Sequence, residues 1–221
     1  MSDDGSRPEL FELLARVGKA LGNGKRLELI ELLVQRSRGV VELARAAGLN
    51  VTTTSAHLQT LRQAGLLTTS RDGTTIRYSI ASAEVAALYA RLLTVAATQS
   101  AEVAVARRRH VGPDDTEEVD RDELLRRVSA GRAVVVDVRP KTEYDAGHIP
   151  GALSIPMEEL AGRLDELPTD LDIVAYCRGA FCSYAHDAVR LLSTRGYRAV
   201  RLADGVLEWQ VAGRPLTGGA T

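Results

Sequence analysis

The pattern of the chain changes at RRRHVGPDDTEEVD, residues 107–120, and that change argues against one continuous core of a single type. Gly112-Pro113 breaks a helix, because proline lacks the amide hydrogen a helix interior needs. Before it, apolar residues recur at helical spacing; after it, short apolar runs alternate with helical stretches. Charge divides at the same place. Residues 1–112 hold 15 Lys and Arg against 10 Asp and Glu, and residues 113–221 hold 13 against 19, so a net charge of −1 hides a basic half and an acidic half. Two domains with two tasks are expected, one of them at a polyanion. The first is placed over residues 1–110, a linker over 111–116 and the second over 117–221.

The chain has 221 residues, 45% of them apolar, which is enough to build two cores. It contains no run of eighteen apolar residues, and its opening MSDDGSRPEL is not a leader peptide, so a soluble cytoplasmic protein away from membranes is expected. Two cysteines do not make a secreted disulfide framework.

The first half reads as mainly helical. Leu10, Leu13, Leu14, Val17 and Leu21 form an apolar stripe, and Gly22-Asn23-Gly24 ends that helix. Leu27, Ile30, Leu33 and Val34 form the next. VVELARAAGL, a tight turn at Gly48–Val51 and a helix from Thr52 to Ala64 follow, and LLTTSRDGTTIRYSIA then alternates around Asp72-Gly73 as a hairpin. Ser82 is placed to cap one long last helix, EVAALYARLLTVAATQSAEVAVARRR.

On the helix from Thr52, residues Thr54, Leu58 and Leu61 share one face. The opposite side carries Thr52, Thr53, Ser55, Ala56, Gln59 and Thr60, small or amide side chains that fit against base edges. An amide such as Gln59 can pair with adenine. Arg62, with Arg71 and Arg77 from the hairpin, is placed to reach phosphates. His57 lies beside the packed face and serves either packing or DNA contact.

These segments, ALGNGKRLELIELL, VELARAAGL, TSAHLQTLRQAGLL and RDGTTIRYSI, resemble the ArsR-type winged helix-turn-helix regulators over residues 10–108. The resemblance implies a homodimer on double-stranded operator DNA, acting as a repressor, with half-sites roughly 34 Å apart. Many such regulators carry metal-sensing cysteines or His and acidic ligands. Here VVELARAAGL has no cysteine, and the last helix offers only Glu84, Glu102 and, beyond it, His110. Neither a metal nor a cofactor is expected.

In the second half, AVVVDV (133–138), IVAYC (173–177) and YRAVRLADG read as strands between helices, the pattern of a parallel sheet covered by helices. Both cysteines fall in VAYCRGAFCSYA, where Cys177 ends a strand and a helix begins near Ser183. Amide groups of such a loop and the positive end of the helix dipole stabilise a thiolate, so a lowered pKa is expected for Cys177, with Arg178 adding charge.

VVVDVRPKTEYDAGHIPGALSIPMEEL, YCRGAFC and LADGVLEW resemble a rhodanese domain over residues 117–216. The resemblance implies that Cys177 carries sulfur and that Arg178, Gly179, Ala180, Phe181, Cys182 and Ser183 form and close the active loop. Asp137 and Arg139 would brace it, His148 would shape a neighbouring strand entry, and Gly205 and Trp209 match the closing signature. A six-residue loop favours sulfur over the phosphate or arsenate handled by related, longer loops. In the family the sixth place is commonly basic or hydroxyl; here it is Cys182, which can attack a persulfide on Cys177.

The expected function is a DNA-binding regulator whose rhodanese half accepts sulfane sulfur from thiosulfate, polysulfide or a low-molecular-weight persulfide and senses it. The alternative is a slow sulfurtransferase that its winged helix targets or oligomerises. Turnover with thiosulfate and cyanide separates the two.

Overall fold

The computed structural model describes residues 6–113 and 115–218. The outer ends of the two expected domains, and Asp114 of the expected linker, lie outside these residues. The chain forms two compact units, one ending at Tyr89 and one beginning at Ala90. No helix is long and apolar enough to cross a membrane among the described residues.

The first unit runs α1 (Ser6–Leu21), α2 (Gly24–Gln35), β1 (Arg38–Gly39), α3 (Val40–Ala46), α4 (Val51–Gln63), β2 (Leu67–Asp72) and β3 (Thr75–Ile80), and α5 (Ala83–Gln99) starts within it. Asn23 and Asn50 start α2 and α4 by accepting from the amides of Arg26 and Thr53, satisfying donors a helix start leaves open. The antiparallel sheet has the order β1-β3-β2, and Asp72 pairs with Thr75, so the wing turns on Gly73-Thr74, one residue later than expected. The two-residue β1 escaped the sequence reading because it is too short to show alternation.

The α1 stripe does not face a core. Phe11 and Leu14 are each 57% exposed, Leu10 and Leu13 are also exposed, and Ala20 is the buried residue of α1. Periodicity identified the helix; what covers its apolar face is a tertiary matter. The expected long last helix is also two: Ser100 leaves helical geometry and accepts from the Val103 amide, ending α5 and capping α6 (Ala101–Val111).

The second unit continues with β4 (Glu118–Val119), α7 (Arg121–Ser129), β5 (Ala133–Asp137), α8 (Lys141–Ala146), β6 (Leu153–Ser154), α9 (Met157–Leu160), β7 (Asp172–Tyr176), α10 (Tyr184–Thr194), β8 (Ala199–Leu202) and α11 (Val206–Val211). Its five strands are parallel, in the order β4-β8-β7-β5-β6. The two-residue edge strands β4 and β6 were not legible in sequence. Residue alternation assigns the two faces. Val136, Ile173, Ala175 and Cys177 enter one core with Val189 and Leu192 of α10. Val135, Val174, Tyr176 and Val200 enter the other with Leu124 of α7 and Trp209 of α11. α6 ends at Gly112, whose φ of +88° suits glycine, and Arg190 bonds to the carbonyl of Pro113 and the carboxylate of Asp115.

Candidate functional site

Loop sites in parallel sheets form at the carboxyl ends of strands, where the chain leaves the hydrogen-bonded ladder. Cys177 follows β7, Asp137 ends the neighbouring β5, and Arg139 lies two residues beyond it. Ser183 already has helical angles (φ −74°, ψ −23°), so the loop before it comprises the six residues Cys177–Cys182. It is curled by a bond from the Cys182 amide to the Gly179 carbonyl, 3.0 Å.

The start of the loop is clamped from behind. The first amides of α11, on Val206 and Leu207, donate to the carbonyls of Cys177 and Arg178, both at 3.1 Å. This turns those carbonyls toward α11. The sulfur of Cys177 meets the amides of Gly179 and Ala185, and also lies 3.5 Å from the Cys182 carbonyl oxygen and 3.8 Å from that of Gly179. Glu208 accepts from the Gly205 amide (2.9 Å) and the Ala180 amide (3.4 Å), and burial raises its pKa.

The thiols differ from expectation. Cys177 is 3% exposed and Cys182 8% exposed; both are free. Burial pushes the Cys177 thiol well above its ordinary range, while the Cys177 hydrogen bond pulls Cys182 below it, helped by the Tyr184 amide and the Arg178 charge. The lowered pKa expected on Cys177 is therefore found on Cys182. Neighbouring thiols that interact are driven apart in pKa, and negative charge is favoured where donors outweigh desolvation. The result is a paired dithiol in which Cys177 holds its proton more tightly than Cys182.

Arg178 is half-buried and engaged. Its guanidinium makes two hydrogen bonds, 2.7 and 2.9 Å, to the carboxylate of Glu143, which is buried on α8. Asp137 and Arg139 are fully buried and paired at 2.6 Å; the Tyr176 hydroxyl donates to Asp137, and Arg139 also donates to the Gly147 carbonyl. Tyr176 in turn accepts from the Ile149 amide, tying the segment after α8 to β7. His148 stacks on Tyr144 and pairs through its backbone with Thr217, so it fastens the C-terminal segment. Ala180 and Phe181 are half-buried; the Nε of Arg107, from α6, donates to the Ala180 carbonyl at 3.3 Å, and its guanidinium lies 5.8 Å from the Phe181 ring centre.

In the first unit, α4 buries Thr54, Leu58 and Leu61 as its spacing predicts. Thr52, Ala56, Gln59, Thr60 and Arg62 are exposed, and Thr53, Ser55 and His57 are half-buried. An open groove of about 760 Å³ runs between α3, α4 and the wing, lined by Arg45, Ser55, Gln59, Thr75 and Arg77 among others. Arg71 is exposed at the wing. Arg77 is not projecting freely: it donates to the hydroxyl and the carbonyl of Ser37, which its place on β3 beside β1 explains.

The sequence reading missed Arg45, Arg107, Glu143, Tyr176 and Glu208. Nothing local marks them; each becomes relevant only through a partner distant in sequence, except Glu208, three residues after Gly205 in a signature segment.

Comparison with known proteins assigns both halves. Residues 23–69 match the family described as bacterial regulatory protein, arsR family, and residues 120–212 match the rhodanese-like domain. Over 101 residues the chain is 37% identical to a sulfurtransferase of Allochromatium vinosum, covering 45% of this chain and 92% of that one. The homodimeric winged helix-turn-helix DNA-binding domain of Mb0332 from Mycobacterium bovis is 46% identical with a TM-score of 0.41, covering 43% of this chain and 87% of that one. The HTH-type transcriptional regulator Rv0324 of Mycobacterium tuberculosis is 52% identical over 212 residues, 96% of this chain and 93% of that one. With both domains matched in order and that likeness running nearly end to end, the chain belongs to the ArsR-family transcriptional regulators that carry a C-terminal rhodanese-like domain.

Proposed function

We propose that this regulator senses sulfane sulfur at the Cys177–Cys182 pair and changes its grip on operator DNA in response. The carrying observation is the dithiol itself: two free cysteines in hydrogen-bond contact within one curled six-residue loop, with their pKa values driven apart. As Cys177 attacks the outer sulfur of a hydropolysulfide, its proton passes to Cys182. The donor's S–S bond breaks, its electron pair leaves with the shortened polysulfide, and Cys177 becomes a persulfide. Cys182, once deprotonated, attacks the inner sulfur; a Cys177–Cys182 disulfide forms and hydrosulfide leaves with the electron pair. The sulfane sulfur is the oxidant, so no other co-reactant is needed.

The DNA-binding half acts through α4, whose exposed Thr52, Ala56, Gln59 and Thr60 face bases while Arg62 and Arg71 reach phosphates. A homodimer is supported by the uncovered apolar face of α1, with Phe11 and Leu14 exposed; a second copy would bury it. A regulator acting on chromosomal DNA would work in the cytoplasm.

A useful switch needs about 1–3 kcal/mol of coupling between the loop and DNA binding. Operator affinity at fixed salt is to be measured with and without polysulfide. It should change at least about fivefold in the wild type and stay constant in Cys177→Ser; a constant wild-type affinity ends the reading. The sulfurtransferase reading is supported by the likeness to the Allochromatium vinosum sulfurtransferase over 101 residues and by the rhodanese-like match over residues 120–212. Rapid turnover from thiosulfate to cyanide, without effect on DNA binding, would favour it. The buried sulfurs and the missing cation at the sixth loop place favour slow turnover.

A further inference from the structure

We infer that Arg107, contributed by α6, is the residue that docks anionic sulfur donors at the loop and so selects them over neutral ones. This rests on the reading of the loop as a sulfane-sulfur acceptor. Inorganic donors such as thiosulfate and hydropolysulfide carry negative charge, and a loop that receives them needs a cation that is not already spent.

The loop's own residues do not supply one. Its sixth place is Cys182. Its single arginine, Arg178, is held by two bonds to the buried Glu143 carboxylate. On the α11 side the loop faces a carboxyl group: Glu208 accepts from the Ala180 amide, and Gly179 lies so close that a Cβ there would stand 3.1 Å from its Oε1. An approaching anion therefore meets a neutralised arginine and a carboxyl group.

Arg107 compensates. Its Nε bonds to the Ala180 carbonyl and its guanidinium lies against the Phe181 ring, so its position over the middle of the loop is set from two sides. Both loop residues sit between the two cysteines. The contact uses one of its donors. Among the described residues its Nη groups have no hydrogen-bond or ion-pair partner and remain for a ligand, and the planar guanidinium matches the paired oxygens of a thiosulfate sulfonate. The cation that is absent from the loop is provided by a residue about seventy positions earlier, outside the matched rhodanese segment 120–212.

The test uses full-length protein. Thiosulfate binding is measured at equilibrium by calorimetry in Cys177→Ser, which lacks the proposed sulfur acceptor, and again with Arg107→Gln or Arg107→Lys added. Gln keeps an amide donor for the Ala180 carbonyl but loses the charge; Lys keeps the charge. Binding should weaken about tenfold with Gln and less with Lys, and the difference should shrink at high salt. Equal binding in all three proteins, or no binding in Cys177→Ser, overturns the inference. So does a loss with Gln that salt does not affect, since that marks a structural role. A parallel measurement follows the mass gained from thiosulfate by the wild type. Arg107-dependent binding without any gain of sulfur keeps the docking site and removes the acceptor reading; sulfur gain with Arg107-independent binding does the reverse.

Discussion

Gly205 lies against the loop so closely that a Cβ on it would stand 2.3 Å from the backbone nitrogen of Gly179. No side chain fits there, because the neighbour is backbone and cannot swing aside. The closeness lets the first amides of α11 reach the carbonyls of Cys177 and Arg178, and so decides which backbone groups remain for the sulfur.

Gly205→Ala should therefore displace the loop. Overpacking of this kind costs about 1–3 kcal/mol. Urea unfolding should show that loss, and sulfur uptake at Cys177 should fall further than stability alone explains. Uptake at the wild-type rate would mean that the clamp does not shape the site.

Cys177→Ala removes the donor that most lowers the Cys182 pKa. The pKa of Cys182 should rise toward the ordinary thiol value, so at neutral pH its thiolate fraction and its alkylation rate fall. The pH dependence of thiolate absorbance in wild type and variant measures this. An unshifted or lower midpoint would assign the charge to the wrong sulfur.

Glu208 is held above its ordinary 4.5 by burial. Its folded state binds a proton more tightly than its unfolded state. The stability it contributes is full below the unfolded pKa and declines as pH rises through the raised folded value. Wild type should thus lose stability relative to Glu208→Gln as pH rises from the unfolded carboxyl value through the raised folded one. Parallel stability curves would show that the carboxyl is solvated.

Asp137→Asn leaves Arg139 buried beside a neutral amide. Breaking a buried ion pair from one side costs about 3–5 kcal/mol. The second unit should unfold at markedly lower urea, and Asp145→Asn, at an exposed carboxylate bound by Lys141, should change stability by less than about 1 kcal/mol. Equal small effects would contradict a bracing role for the pair.

Gln59→Ala should relax discrimination at one base pair by about 1–3 kcal/mol without unfolding the protein, because Gln59 is exposed. Arg71→Ala should instead weaken binding to all sequences and lower the salt slope by about one. Binding titrations on variant operators at several salt concentrations separate the two behaviours.

Much of this was legible along the chain. Periodicity placed α2, α4 and the wing, and the alternation of short apolar runs placed β5, β7 and β8, because buried faces repeat at the period of the backbone that carries them. The order of the two halves, the position of the thiols and the six-residue loop were readable for the same reason: they are local. The break at Ser100 was harder, since a serine within an alanine-rich run tips between interior and cap by a small margin.

The amino-acid sequence by itself determined two units of different class, a helix with a packed face of Thr54, Leu58 and Leu61, and a pair of thiols between a strand and a helix. Only the tertiary structure decided which thiol holds its proton more tightly, that Glu143 occupies Arg178, that Ser37 holds Arg77, and that Arg107 stands over the loop. Helical and strand patterns follow from neighbours a few residues apart, whereas charge and proton positions depend on groups that folding brings together from far along the chain.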